Sequence, residues 1–116
     1  MSASKRKGTA AETAIVRCLV EAGWPHAERR ALIGAHDKGD VAGIPGVVIE
    51  AKNCSRDELP AWLREAETER ANAGADLGVV WHKIRGTTDP RRWPVTMTGE
   101  QFLDVLRRLG YHPEVE

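Results

Sequence analysis

A chain of 116 residues, 41% hydrophobic and 29% charged, is long enough to bury one core without disulfides or a structural metal. It has no apolar run near the ~20 residues of a membrane span, and no apolar segment follows the basic Met1–Lys7 start as in a secretory signal, so a cytoplasmic protein is expected. Seventeen basic and seventeen acidic residues cancel, which as a total argues against a nucleic-acid partner.

The distribution of charge is less even than the total. Lys5, Arg6 and Lys7 give residues 1–10 a net +3, and residues 75–99 carry a net +2 from Lys83, Arg85, Arg91 and Arg92 against Asp76 and Asp89. Residues 54–74 and 100–116 each sum to −2. Such patches suit either a phosphate backbone beside an acidic remainder or a solvated tail and polar loop. Cys18 and Cys54 have neither metal-ligand spacing nor a disulfide-rich context, which fits a reducing compartment.

Residues 1–8 read as a basic tail and 9–116 as a single domain. Thr9-Ala-Ala-Glu12 fits a capping box that opens a helix, and Gly23 is its stop. Ile15, Val16, Leu19 and Val20 form the apolar stripe between them. Glu12 lies at the N-terminal end of that stripe, so it is either the capping acid or a third carboxylate leaning over the sheet. A strand is expected around Ala27 to Ile33, with Arg29 and Arg30 on opposite faces. The loop Gly34-Ala-His-Asp-Lys-Gly39 leads into Asp40.

Asp40-Val-Ala-Gly-Ile-Pro-Gly-Val-Val-Ile-Glu50-Ala-Lys52 is the most informative stretch. Pro45-Gly46 is turn chemistry, so the segment reads as a β-hairpin with Asp40 opposite Ile49 or Glu50. Strand alternation then sends Glu50 and Lys52 to one face and Ile49 and Ala51 to the other. Asp37 is a weaker candidate than Asp40, because it falls beyond the end of the paired strand. Two carboxylates about 5 Å apart repel unless a cation lies between them, and hard divalent ions want oxygen ligands. The hairpin is a candidate metal site with a lysine at its edge.

Ser55-Arg-Asp-Glu58 is a second capping box, with Pro60 tolerated near a helix start. Leu59, Trp62, Leu63, Ala66 and Ala73 are the stripe of a helix ending at Gly74. Leu77–Lys83 reads as a buried strand, and Trp93–Met97 as a short edge strand because Pro94 cannot donate to a ladder. Thr98 caps a last helix bearing Phe102, Leu103, Leu106 and Leu109, which stops at Gly110. The order αβββαββα predicts an α/β fold with a central mixed sheet flanked by helices. The four histidines lack paired zinc spacing, no nucleophilic triad is set out, and glycine-rich phosphate loops are absent.

With these residues in place, the chain resembles the PD-(D/E)XK nuclease superfamily. The motif acids and lysine stand as Asp40 and Glu50-Ala51-Lys52, and the helix carboxylate as Glu12 in Lys7-Gly-Thr-Ala-Ala-Glu12. Within the superfamily it looks most like archaeal-type Holliday junction resolvases and their phage relatives, over roughly residues 5–97. The resemblance implies a restriction-endonuclease-like αβββαβ core, here followed by a C-terminal helix. It also implies a Mg²⁺- or Mn²⁺-dependent endonuclease cutting branched DNA in a bacterial cell or phage-infected host. Asp40, Glu50, the Ala51 carbonyl and Glu12 would hold the ion, with Glu12, Asp40, Glu50 and Lys52 as the catalytic set. Two departures stand out. The acid that relatives often carry on the second helix is Glu65 or Glu69 here, and the loop before Asp40 lacks their serine.

Lys5, Arg6, Lys7, Arg29, Arg30, His36, Lys38, Lys83 and Arg85 are the expected DNA contacts. Two symmetric nicks across a junction call for a homodimer with two sites related by a dyad. Same-fold alternatives are a nuclease for nicked, flapped or linear duplex DNA, and a module that only binds DNA or assembles.

Overall fold

The computed structural model describes residues 3–30, 39–53, 56 and 58–113, with side chains from Gly8 onward. In chain order the elements are α1 (Ala3–Ala22), β1 (Glu28–Arg29), β2 (Val41–Ala42), β3 (Val47–Lys52), α2 (Leu59–Ala73), β4 (Leu77–His82), β5 (Val95–Thr96) and α3 (Gly99–Arg108). A single 3₁₀ turn, Pro90–Arg92, precedes β5. The fold is α/β, and the expected αβββαββα order is the observed one. None of the described helices is long and apolar enough to cross a membrane.

The five strands lie in the sheet in sequence order. Pairing is antiparallel for β1–β2, β2–β3 and β4–β5 and parallel for β3–β4. Parallel neighbours need a long crossover, which α2 supplies. Alternation along β3 and β4 splits their side chains between two layers. Ile49, Ala51 and Val79 join Ala11, Ile15 and Leu19 of α1, together with Val41 and Trp93, in the main core. Val80 packs with Trp62 and Ala66 of α2 in a smaller cluster on the other face. The Trp62 ring also lies 5.9 Å from that of His82, centroid to centroid, as a core tryptophan does.

The helix stops follow the sequence closely. Gly74 ends α2 in the left-handed region at φ 61°, its N–H bonded to the last carbonyls of the helix. The Thr98 hydroxyl accepts from the Gln101 N–H at the start of α3. Starts and short strands differ more. Helix α1 begins at Ala3, six residues ahead of the Thr9 box, so residues 3–8 continue the helix and are not a separate tail. Its early alanine, lysines and arginine are good helix formers, and the helix runs on through Gly8, whose cost is only about 1 kcal/mol. At the start of α2, Glu58 holds the cap position without a side-chain bond; Ser55 and Asp57 lie outside the described residues. The expected Ala27–Ile33 strand forms its ladder at Glu28–Arg29, and positions 31–33 are outside the described residues.

The last strand is shorter than its pattern suggests. Trp93 belongs to the core beneath the 3₁₀ turn, with its indole N–H donating to the Thr87 carbonyl at 3.0 Å and its backbone N–H to Pro90. Pro94 has no N–H, and pairing with β4 is confined to Val95 and Thr96.

Candidate metal centre

The hairpin brings its acids together through two tight approaches. Gly43, at φ 101°, passes so close to the His26 carbonyl that any Cβ would collide with it. Gly39, at φ 98°, lies where a Cβ would sit 2.9 Å from Val48 Cγ1. Glycine at both positions lets the chain enter β2 against β3. The Asp40 N–H then donates to the Ile49 carbonyl at 2.9 Å, and Val41 pairs with Ile49. One step back along that register, Asp40 stands opposite Glu50 on the same face. Asp40 Oδ2 accepts the Ala51 N–H at 2.8 Å, which fixes the carboxylate against the strand carrying the second acid.

Helix α2 supplies the rest. Glu65 and Glu69 are four residues apart, so they share one face of the helix. That face lies over Glu50, and carboxylate oxygens of Glu50, Glu65 and Glu69 all fall within 4.8 Å of one another. Glu50 and Glu69 are each only 2% exposed, whereas Glu65 opens to solvent. Lys52, two residues beyond Glu50 on the same face, places Nζ 2.8 Å from Glu65 Oε2 and 3.6 Å from Glu50 Oε2.

The electrostatics follow from too many acids around one ammonium. Burial pushes the Glu50 carboxyl up to about 12, helped by hydrogen bonding with Glu69 and Glu65 and by the Asp40 and Glu69 charges. The Glu50 carboxyl is therefore neutral at pH 7 when no cation is present. Burial alone would raise Glu65 as well, but hydrogen bonds from Glu50 and Lys52 and the Lys52 charge outweigh it and hold that carboxyl low. Desolvation would lower Lys52. The Glu65 hydrogen bond and the Glu50, Glu65 and Asp40 charges outweigh it, so the ammonium is held above its usual range.

A divalent cation fits this set. Glu50 Oε1 is buried with no hydrogen-bond partner among the described residues. An orphaned buried oxygen costs free energy that a cation would recover. The donors are all carboxylate oxygens, the preference of Mg²⁺ and Mn²⁺ and not of zinc. Glu50, Glu65 and Glu69 bring oxygens close enough to share one ion, and Asp40 borders them from the facing strand.

Of the residues read from the sequence, Asp40, Glu50 and Lys52 meet as expected. Ala51 meets them through its N–H, which Asp40 binds, while its side chain lies in the α1 core. Glu12 goes elsewhere. It sits in the α1 layer, on the opposite side of the sheet from the Glu50 side chain, and Oε2 pairs with Arg29 Nε at 2.9 Å. Arg29 thus turns toward α1, and Arg30, by alternation, shares the face of Asp40. Lys83 and Arg85 flank the C-terminal end of β4, the Lys83 N–H donating to the Lys52 carbonyl. His36 and Lys38 lie outside the described residues, as do the side chains of Lys5, Arg6 and Lys7.

Glu65 and Glu69 are the acids of this cluster that the sequence left open. Their signal is spacing: each lies three residues from Trp62 or Ala66 along the buried stripe, where a solvated acid has no reason to be. Comparison of the chain with family models, curated proteins and solved structures gives no match.

Proposed function

We propose that this chain is a metal-dependent endonuclease of PD-(D/E)XK type that hydrolyses DNA phosphodiester bonds, with four-way junctions and other branched DNA as its leading substrate. The observation that carries the reading is the convergence of Asp40, Glu50 and Lys52 on one face of the hairpin, beneath two carboxylates from the crossover helix. A purely structural ion pair at a sheet end needs one acid for Lys52. Here three act on it, Glu65, Glu50 and Asp40, and the buried Glu50 has an oxygen left over.

Mg²⁺ or Mn²⁺ held by Asp40, Glu50 and the α2 acids would supply Lewis-acid polarisation of the phosphoryl group and relief for the leaving oxygen. The chain's own residues do the rest. Asp40 is locked in place by the Ala51 N–H, so its carboxylate is oriented before any ligand arrives. Lys52, kept cationic by its acid neighbours, orients the attacking water by donating to it and stabilises negative charge growing on the phosphate. A lysine held above its ordinary range does not serve as a general base near neutral pH. Glu65 sets the direction of the Lys52 ammonium through the 2.8 Å contact. Arg30, on the same face, and Lys83 and Arg85 beyond β4 would meet the DNA backbone.

Cleavage of a synthetic four-way junction beside a matched linear duplex, with Mg²⁺ and with EDTA, tests this directly. Paired nicks on the junction alone, lost in EDTA, are the expected result. Equal cutting of both substrates keeps the chemistry and replaces the substrate. Binding without any cutting reduces the chain to a nuclease-like fold that only holds DNA.

A further inference from the structure

The face that carries the acid cluster continues past Glu50. Val48, two residues earlier on β3, shares that face, and Ala73, four residues after Glu69, shares its side of α2. Both line a cavity of about 490 Å³ between the end of α2 and the hairpin turn. Its walls are apolar, with Ile44, Pro45 and Val48 on one side and Ala73 and Ala75 on the other. Gly46 and Gly74, both in the left-handed region, contribute backbone and no side chain. The polar lining is His26 and Arg30, exposed residues from either side of β1. No acid lines the cavity among the described residues. Arg29 has Glu12 and Lys52 has Glu65, but the Arg30 guanidinium makes no ion pair with any described residue. An unpaired guanidinium beside apolar walls suits a ligand with a flat apolar body and an anionic group.

We propose that this cavity is a subsite for one unstacked nucleotide of the DNA strand engaged at the acid cluster, its base between the turn and α2 and its phosphate on Arg30. The volume lies within the range of small-ligand sites. The strand register places the phosphate. The Arg30 N–H donates to the Asp40 carbonyl at 2.8 Å, and Asp40 stands opposite Glu50. Arg30 is thus two strand spacings, about 10 Å, from Glu50. One strand can therefore set a phosphate at the acids and a nearby one at Arg30, with the base between them turned into the cavity.

The consequence is selection by DNA structure. A base inside a duplex gives up stacking and pairing before it can enter, whereas a base beside a branch point gives up less. The cavity favours DNA that already holds an unstacked nucleotide near the cut. The ligand class rests on the nuclease reading, but the test reads binding and needs no cleavage.

The probe is 2-aminopurine, whose emission rises on leaving the base stack, placed at successive positions from the crossover of a synthetic four-way junction. Ca²⁺ replaces Mg²⁺ so that the strands stay whole. Wild-type protein is expected to raise the emission several-fold at one position, and to bind a junction abasic there about 10-fold more weakly. Ala73→Phe, at an exposed position, fills the cavity. It should abolish the rise and bind intact and abasic junctions alike, with unchanged far-ultraviolet circular dichroism. Arg30→Gln should weaken binding of both junctions and reduce its salt dependence. A rise that survives Ala73→Phe overturns the proposal, and so does an abasic junction bound as tightly as the intact one. Micromolar binding of free deoxyadenosine monophosphate with no response on the junction overturns it too, as does a chain that binds no DNA. Cutting in Mg²⁺ with no emission change sinks the subsite and keeps the nuclease, and an emission change without cutting does the reverse.

Discussion

Replacing Glu50 with Gln tests the buried carboxyl at the heart of the site. In the folded chain Glu50 titrates near 12, mainly because burial opposes its charge, against 4.5 for the free side chain. Raising a carboxyl above its unfolded value means the folded state holds a proton that the unfolded state releases. Stability from this group is therefore complete below pH 4.5 and is lost progressively as pH rises toward 12. At pH 7 the gap is about 2.5 pH units, which amounts to a few kcal/mol at roughly 1.4 kcal/mol per unit. Glu65, held low by the same proton, returns part of this. Glu50→Gln keeps the shape and a hydrogen-bonding amide but has no proton to lose. In EDTA it should be about 2–3 kcal/mol more stable than wild type at pH 7 and nearly equal at pH 4.5. Urea unfolding of both proteins at pH 5, 6, 7 and 8 measures the difference, in which other titrating groups largely cancel. Adding Mg²⁺ to 100 times its dissociation constant should then stabilise wild type by about 2.7 kcal/mol and the variant far less. A stability gap that does not change between pH 5 and 8 would mean that Glu50 is ionised in the folded protein, and the reasoning would fail.

Asp40→Asn keeps an oxygen for the Ala51 N–H, so folding and DNA binding should survive while cleavage falls about 10³-fold or more; full activity would remove Asp40 from the site. Lys52→Met should cut the single-turnover cleavage rate by about 10²–10³ with little change in junction affinity, as expected of a group that acts on developing charge. Because Glu12 is bound to an exposed Arg29 in the other layer, Glu12→Gln should cost under about 1 kcal/mol and leave Mn²⁺ affinity unchanged by titration calorimetry. Gln101→Leu removes both bonds that anchor α3 and strands the Gly78 N–H, costing about 1–3 kcal/mol by denaturant melts.

Much of this fold was legible because its signals are local. Gly74, Thr98 and Pro45-Gly46 mark stops, caps and turns by chemistry that acts within a few residues. The hairpin register was likewise readable to within one residue, since glycine and proline leave few places to reverse. What the sequence hid depends on neighbours from afar. Glu12 had two readings, capping acid or third site carboxylate, and the start of α1 at Ala3 removes the first. Arg29, seventeen positions later, turns to its side of the sheet and claims it. Helix α3 reads from its stripe as an inward-facing helix. Only the two bonds of Gln101 to the start of β4 reveal that its apolar side looks out. Glu65 and Glu69 stood as alternatives for a single helix acid, and the parallel crossover sets both over Glu50.

Anomalous diffraction from crystals soaked in Mn²⁺ is the most direct measurement of the central claim. The expected result is a peak within about 2.0–2.6 Å of oxygens from both Glu50 and Asp40, beside the Glu65 and Glu69 carboxylates. A fully ordered Asp40–Glu50–Lys52 cluster with no manganese at millimolar concentration, or manganese bound only at other surface acids, would contradict it.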